Sequence, residues 1–313
     1  MVSMENKKVV CFGEVLWDIL PTGKKPGGAP MNVAYHLNRL GIQSTIISSI
    51  GMDDDGDELK VFLSNIGMPT EFIQTDEQYP TSKVLARIGA DDEVTYDIVA
   101  PVAWDFIRYE HGFARLIEDA DVLVYGSLVA RNATSRDTLL QLLDRARYRL
   151  FDVNLRAPHY APDTIDLLLH RADAVKLNIH ELRELSGLLF NQPGNESMGI
   201  RLLQDRYGLK DIIVTKGAQG ASYYTPQARH DCAAMPVVVK DTVGSGDSFL
   251  AGFLAQKLRG ENSENMLSFA AGLGAYVATQ VGACPPYLRM DLDRFIGENH
   301  SKRPSGNKNY MDN

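Results

Sequence analysis

Short apolar runs alternate with longer stretches of helical periodicity along most of this 313-residue chain. Val9–Leu20 begins as an apolar strand, and further runs follow between helical stretches at residues 46–50, 122–126, 150–153, 174–177 and 212–215. Strands of a parallel sheet are buried on both faces and therefore have continuous apolar sequences, with crossover helices between them. The pattern predicts an α/β protein with a predominantly parallel central sheet flanked by helices.

Between Glu71 and Val99 the helical periodicity disappears and short, partly alternating segments replace it, at Phe72–Thr75, Thr81–Ile88 and Val94–Ile98. This pattern predicts hairpins. A small β-rich insertion in such a core is typical of a lid that excludes water from a reactive group, although a hairpin without function would look the same. We predict one domain over residues 1–300, with a small β-strand lid from about 15–31 and 71–99, and a disordered polar tail over 301–313.

Composition and net charge narrow the classes of molecule that the protein is expected to bind. The formal net charge is −8 and no run of Lys or Arg occurs, which argues against a nucleic-acid or acidic membrane surface and favours a small molecule. The three cysteines are far apart, so neither a disulfide framework nor a zinc site is indicated, and a cytoplasmic location is expected. No apolar stretch approaches the roughly 20 residues of a membrane span.

Residues 236–258 predict a strand, a glycine turn and a helix with an acid at its entrance. Val237–Val239 are predicted to form the buried strand, and apolar residues at helical spacing follow from Phe249 to Leu258. In the turn, the backbone N–H groups of Gly244, Ser245 and Gly246 and the positive end of the helix dipole would meet at one point. The turn is therefore a candidate anion site.

Asp247 stands beside this candidate anion site. A carboxylate is a poor ligand for phosphate, so general base toward a hydroxyl acceptor is a chemically economical role for it. The alternative is that Asp247 caps the helix and that the glycines only turn the chain. The residues alone leave both interpretations open.

A second glycine pair precedes a well-specified helix near the amino end. Gly27 and Gly28 allow the backbone to approach a ligand closely, and Asn32, one turn into the helix, offers a donor and an acceptor suited to sugar hydroxyls. Turn glycines and a surface Asn are the alternative.

Together the segments GGAPMNVAYHLNRLG and DTVGSGDSFLAGF resemble the two signature regions of the ribokinase/PfkB carbohydrate kinase family, most closely its fructokinase branch. The resemblance extends to about Pro286. It implies a ribokinase-like fold and an enzyme that uses ATP and Mg²⁺ to phosphorylate a sugar hydroxyl.

The resemblance also implies roles for individual residues. Asp247 would be the catalytic base, and Gly244, Ser245 and Gly246 would form the anion hole; Ser245 replaces the commoner Ala and could add a hydrogen bond to phosphate. Glu181 would act on Mg²⁺ through water, and the carbonyls of Asp241 and Val243 would hold a monovalent cation, K⁺. The nucleotide would contact Asn178, Glu181, Thr215, Lys216, Gly217, Gly220 and Gly282.

On the sugar side, the resemblance implies contacts from Asp18, Gly28, Asn32, Tyr96, Asn154 and Arg156. Fructose, converted to fructose 6-phosphate, is the favoured acceptor. Because Arg156 could grip an acidic sugar, a 2-keto-3-deoxygluconate kinase is an alternative, as is a ribokinase. A sugar- or nucleotide-binding regulatory protein without catalysis is an alternative of another class.

The lid strands also predict a homodimer. They offer more β-forming apolar surface than two hairpins can bury alone, and exposed strand edges are commonly covered by pairing. The residues concerned are Phe72, Val84, Ala86, Ile88, Val94, Tyr96 and Ile98.

Overall fold

The computed structural model describes residues 7–20, 23–88, 94–192 and 194–300, with side chains at 20, 86–88, 94–96 and 300 outside the description. The strands are β1 Lys8–Phe12, β2 Leu16–Leu20, β3 Gly23–Gly27, β4 Gln43–Gly51, β5 Ile73–Asp76, β6 Ser82–Ile88, β7 Val94–Ile98, β8 Val122–Gly126, β9 Arg149–Asp152, β10 Ala174–Asn178, β11 Asp211–Thr215, β12 Ala221–Tyr224 and β13 Arg229–Cys232. The helices are α1 Ala29–Arg39, α2 Asp54–Asn65, α3 His111–Asp119, α4 Ala133–Leu143, α5 Pro162–His170, α6 Ile179–Phe190, α7 Glu196–Tyr207, α8 Ser245–Leu258, α9 Ser263–Ala278 and α10 Arg289–His300.

Within the described residues, nine strands form a large sheet in the order β13-β12-β11-β10-β9-β8-β1-β4-β5. The strands from β11 to β5 pair in parallel, whereas β12 and β13 add an antiparallel edge. The prediction of a predominantly parallel central sheet is confirmed. The carboxyl ends of its parallel strands meet at one edge, which is where ligands bind in open α/β sheets.

Two apolar clusters cover the two faces of this sheet. One joins strand residues such as Cys11 to helices α1, α8 and α9, through Leu250 and Leu267. The other joins Phe151 and its neighbours to helices α3 to α7, through Leu139. Burial on both faces explains why the strands have continuous apolar sequences.

A smaller, mostly antiparallel sheet has the order β3-β2-β6-β7. Its two hairpins join where β2 and β6 run parallel, with Leu16 opposite Ser82. The predicted hairpin strands 81–88 and 94–98 are thus confirmed.

The predicted extent of the lid was wrong at both of its inner ends. Residues Ile73–Asp76 pair with β4 at the edge of the large sheet, because Ile73 packs into the main core. Phe72 packs against Phe113 in the body of the protein. Ala29 to Met31 form the start of α1.

The strand predicted at Val237–Val239 was also wrong. This segment is irregular, and Val238 is 85% exposed. The hairpin of β12 and β13 completes that edge of the sheet, so the valines run along the surface. The helix predicted after them is confirmed as α8, with Phe249, Leu250, Phe253 and Leu254 buried.

The predicted tail at 301–313 lies outside the described residues. Among the described residues, no helix is both long and apolar enough to cross a membrane.

Candidate active site

The first turn of α8 lies at the carboxyl edge of the large sheet. Gly244, its N-cap, has φ 74°, and a Cβ there would lie 2.5 Å from the Cβ of Ala283. Only glycine suits this position, both for its left-handed backbone and for its close approach to the neighbouring loop. No side chain of the described residues caps α8. The N–H of Ser245 donates to the carbonyl of Thr242 at 3.2 Å, so an anion here would rely on the N–H groups that follow it in the first turn.

Asp247 follows in this first turn and is partly exposed. Its Oδ2 accepts a hydrogen bond of 2.8 Å from Nδ2 of Asn32, on the first turn of α1. Gly28, the N-cap of α1, has φ 116°, and a Cβ there would lie 2.3 Å from the carbonyl oxygen of Glu14. The two glycine turns that sequence analysis identified thus meet through Asn32 and Asp247.

The groups around Asp247 shift its pKa in opposite directions. Burial raises the pKa of Asp247, and the neighbouring Asp152 carboxylate raises it further. The Lys176 ammonium, the Asn32 hydrogen bond and the Arg156 guanidinium lower this pKa. A carboxylate with a raised pKa that still faces the cleft suits a general base.

Sequence analysis missed the ion pair of Asp152 and Lys176. The two residues are opposite each other in the parallel register of β9 and β10, and Nζ of Lys176 lies 3.0 and 3.2 Å from the carboxylate oxygens. Burial opposes the charge of Lys176, but Asp152, Glu181 and Asp247 raise its pKa above the ordinary value. A Lys among the apolar residues of AVKL, at the start of β10, was the available signal, because a buried ammonium needs a partner.

Glu14, between β1 and β2, was also missed. It is 3% exposed, and its Oε2 has no hydrogen-bond partner among the described residues. Burial raises the pKa of Glu14 to about 7, and the charge of Asp247 adds to this effect while Arg156 opposes it. Glu14 is therefore a buried acid at the base of the cleft.

Asp18 lies on β2 of the small sheet. Burial raises its pKa to about 6; Arg156 lowers this pKa, and Asp241 and Asp247 raise it. Three predicted site residues from different parts of the fold thus lie close enough for their charges to interact: Asp18, Arg156 and Asp247.

The loop after β9 carries Asn154 and Arg156. Asn154 has φ 38°, a left-handed conformation that is uncommon outside glycine and often marks functional loops. Its carbonyl accepts a 3.2 Å hydrogen bond from Oγ of Ser127. Arg156 is exposed, so its guanidinium is accessible to a ligand. The side chain of Tyr96 lies outside the described residues.

Asn178 and Glu181 form a capping box at the start of α6, a motif that satisfies the first N–H groups of a helix. Oε2 of Glu181 accepts from the N–H of Asn178 at 2.7 Å, and Oε1 accepts from the N–H of Leu155 at 3.1 Å. Glu181 is 6% exposed, so it is not the solvated acid of an ordinary cap. This carboxylate joins α6 to the loop that carries Arg156.

The nucleotide contact predicted for Lys216 stays a prediction, and in this structure the Lys216 side chain has partners within the protein. Its ammonium lies 2.7 Å from Oε1 of Glu196 and 2.5 Å from Oγ of Ser222, because both side chains stand beside it near the outer edge of the sheet. Thr215 ends β11, and Gly217 and Gly220 flank the short turn before β12. The nucleotide roles of these three residues stay predictions.

The hydroxyl of Ser245 contacts the neighbouring helix α9. It donates a 3.1 Å hydrogen bond to the carbonyl of Gly274 on α9. Serine in place of the commoner alanine therefore links two helices, and the suggested bond to phosphate stays a prediction.

Asp241 links two loops beside this turn. Its Oδ1 accepts from the N–H of Val243 and its Oδ2 from the N–H of Gly282, each at 3.0 Å. Loops 241–243 and 281–283 are thereby held together. The described residues contain no group of three or more His, Cys, Asp or Glu side chains suited to a metal ion.

Known proteins share this architecture. The fructokinase from Xylella fastidiosa, solved with bound ATP, has a TM-score of 0.82 at 23% identity over 94% of this chain and 99% of its own. A double mutant of the fructokinase from Vibrio cholerae, solved with fructose, ADP and potassium ion, has a TM-score of 0.79 at 23% identity over 93% of this chain and 98% of its own. The common structure is the ribokinase-like fold.

The sequence comparisons identify the family. The model of the pfkB family carbohydrate kinases matches residues 6–289, and a fructokinase from Klebsiella pneumoniae is 31% identical over 93% of this chain and 100% of the relative. The chain belongs to the pfkB family of carbohydrate kinases. It is thus a phosphotransferase with an alcohol group as acceptor.

Proposed function

We propose that this kinase transfers the γ-phosphoryl group of ATP to fructose, giving fructose 6-phosphate, with Asp247 as the general base. The observation that carries the proposal is the position of the Asp247 carboxylate. It lies in the uncapped first turn of α8, is held by Asn32 and is partly open to the cleft. One carboxylate and a helix start without a side-chain cap are thereby placed together.

The chemistry follows from this arrangement. The sugar hydroxyl oxygen attacks the γ-phosphorus, its proton passes to Asp247, and the bond to the bridging oxygen of ADP breaks with its electron pair on that oxygen. The amides of Gly244, Ser245 and Gly246 surround the negative charge that develops on the phosphoryl oxygens. Asn32 keeps the carboxylate oriented toward the acceptor.

ATP as donor is supported by the fructokinase from Xylella fastidiosa, which was solved with bound ATP. Mg²⁺ is assigned here to the nucleotide phosphates, since it keeps several waters and binds proteins through few carboxylates. Glu181, whose two oxygens already accept backbone hydrogen bonds, fits a contact through water better than direct ligation. The carbonyls of Asp241 and Val243 are assigned to K⁺, because the Asp241 side chain fixes their loop, 241–243, and joins it to loop 281–283.

A neutral sugar is favoured over 2-keto-3-deoxygluconate by the surroundings of Arg156. Its guanidinium acts on Glu14, Asp18 and Asp247, so carboxyl groups of the protein already surround this positive charge. An acidic substrate would add a further carboxylate to this acid-rich cleft. The fructokinase names of the relatives agree with a neutral hexose.

The experiment is an assay of ADP release with ATP, Mg²⁺ and fructose, ribose, 2-keto-3-deoxygluconate, adenosine or fructose phosphates. We expect the highest kcat/KM with fructose, and product analysis should show phosphate on the 6-hydroxyl. A higher kcat/KM with another acceptor would reject fructose, and no turnover with any acceptor would reject the kinase itself. Replacing K⁺ by Na⁺ in the same assay tests the cation assignment.

Asp247→Asn is expected to lower kcat by about 10²–10⁴-fold, because a general base typically contributes that much. Nucleotide affinity and thermal stability should stay close to wild type. Turnover is measured together with ADP affinity. A variant that retained more than about half of the wild-type rate would exclude Asp247 as the base.

Asp18→Ala and Asn32→Ala should raise the KM for fructose, because each removes a hydroxyl contact. Asn32→Ala should also move the acidic limb of the rate profile to higher pH, because its hydrogen bond lowers the pKa of Asp247. The two pH profiles are compared with wild type. A changed KM for ATP with an unchanged KM for fructose would show that this edge of the cleft has been misplaced.

A further inference from the structure

We propose that Lys176 is a catalytic residue whose ammonium contacts the transferring phosphoryl group at the first turn of α8, with Asp152 fixing its position. The inference rests on the proposed function and assigns one more group to the same reaction. Lys176 lies on β10 of the large sheet, and Asp247 lies on the helix above its carboxyl edge.

The geometry places this ammonium against the candidate anion site. A Cβ built on Gly246 would lie 3.2 Å from Nζ of Lys176, so the ammonium touches the turn that would hold phosphate. The Lys176 side chain is 8% exposed and its carboxylate partner 5%, so little solvent screens the pair. An ammonium has three N–H donors, and Asp152 engages at most two of them. At least one donor is therefore left for a ligand.

The charge around the turn also requires a cation. Asp152, Glu181 and Asp247 all act on Lys176, so the phosphoryl group would arrive among three acidic side chains. Phosphate oxygens and carboxylates repel one another unless a positive charge lies between them. Lys176 supplies that charge from below the turn, and Arg156 supplies another from the exposed side of the cleft.

The reaction requires no proton from Lys176. The hydroxyl proton goes to Asp247, and the lysine stays an ammonium that donates a hydrogen bond to a phosphoryl oxygen. As charge shifts onto the phosphoryl oxygens and the leaving ADP, this bond strengthens, which lowers the barrier more than it tightens binding. A buried ion pair could instead be purely structural, so the experiment must separate these two roles.

The test compares Lys176→Met, Lys176→Arg and the double variant Asp152→Asn/Lys176→Met. Lys210→Met is the matched control, because Lys210 also pairs with an aspartate, Asp173, but is an exposed side chain. The measurements are kcat and KM with fructose, the affinities for ADP and for the ATP analogue AMP-PNP, the pH profile and thermal unfolding.

We expect Lys176→Met to lower kcat by about 100-fold or more with little change in the KM for fructose, as for the loss of one donor to a transition-state anion. AMP-PNP affinity should fall by about tenfold while ADP affinity is retained, because only the former carries a γ-phosphoryl group. The acidic limb should move to higher pH. Lys176→Arg should recover part of kcat, and the double variant should stay as slow as Lys176→Met.

Recovery of kcat in the double variant would overturn the proposal, because the pair would then only balance charge in the interior. Equal losses of ADP and AMP-PNP affinity would overturn it as well. If Lys176→Met does not fold, the arginine and double variants decide the same question. If wild type and Lys210→Met phosphorylate none of the sugars, the proposed function fails, and the comparison of ADP with AMP-PNP still tests Lys176.

Discussion

Buried charge is used in two different ways beneath the cleft. Lys176 and Asp152 neutralise each other across neighbouring strands. Glu14, by contrast, has a carboxyl oxygen without a hydrogen-bond partner among the described residues, and burial raises its pKa to about 7. The native state therefore holds the Glu14 proton at pH values where an unfolded chain, with a pKa near 4.5, has released it.

This difference predicts a pH dependence of stability. Because the folded pKa is raised, the contribution of Glu14 is fully present below about pH 4.5 and is lost as the pH rises through about 7. Glu14→Gln removes the titration. As the pH rises between these values, the free energy of unfolding of the variant should therefore increase relative to that of wild type, by no more than about 3 kcal/mol.

Urea unfolding of both proteins at pH 5 and pH 8 measures the effect. The charges that face Glu14 are Asp247 and Arg156, and they are present in both proteins. A difference between variant and wild type that is the same at both pH values would contradict a buried protonated Glu14.

The residues found from sequence are those with a local signature. Asp247 and Asn32 follow glycine turns at helix starts, and the structure joins them by a hydrogen bond. Lys176 and Glu14 stand inside or beside apolar runs, where periodicity indicates burial but not the partner. Asp152 becomes the neighbour of Lys176 only through strand order and register, which a single strand does not encode.

At the scale of elements, close helix packing supports the anion site. Helices α8 and α9 meet at glycines, and a Cβ on Gly252 would lie 3.1 Å from the Cα of Ala270. At the start of α8, the hydroxyl of Ser245 donates a hydrogen bond to the carbonyl of Gly274 on α9. The first turn of α8 is thus held in place by the helix behind it.

Gly252→Ala should destabilise the protein by about 1–3 kcal/mol, because the added methyl group forces the two backbones apart. Gly187→Ala in α6 is the control: nothing lies within 4 Å of its Cβ position, and helix propensity alone should stabilise it by up to about 1 kcal/mol. Chemical denaturation of both variants gives the comparison. Similar changes in both would show that α8 and α9 are not in close contact.

The parallel strands and α8 were predicted well, because the apolar residues that they bury form a recognisable pattern within each element's own sequence. The failures have a common cause. Val237–Val239 have strand-forming side chains, but β13 already completes that edge of the sheet. Phe72–Thr75 lie next to the lid in sequence, but β4 offers a free edge to pair with. Propensity was outweighed by the position of neighbouring strands.

At the scale of the whole molecule, the predicted homodimer loses part of its support. Val84 and Ile98 are each 8% exposed and pack against the body of the same chain, as Phe72 does. Charged substitutions at Phe72 or Ile98 would therefore disturb the monomer fold. The edges of the small sheet, β3 and β7, remain as pairing surfaces, and the exposed lysines of β3 make β7 the better one.

We still expect a homodimer through the lid strands. Light scattering over a range of micromolar concentrations should give about twice the chain mass of 34.6 kDa. A mass that stays near 34.6 kDa across this range would exclude the dimer.

The division of the site between two sheets bears on how the enzyme would distinguish sugar from water. Asp18 belongs to the small sheet and Asp247 to the helix above the large one. A water molecule in the acceptor position could reach Asp247 alone, whereas a sugar with several hydroxyls could contact both carboxylates at once. Only an acceptor that contacts both carboxylates would bring the small sheet and the first turn of α8 into the reactive arrangement. Hydrolysis of ATP in the absence of the sugar would therefore be slow.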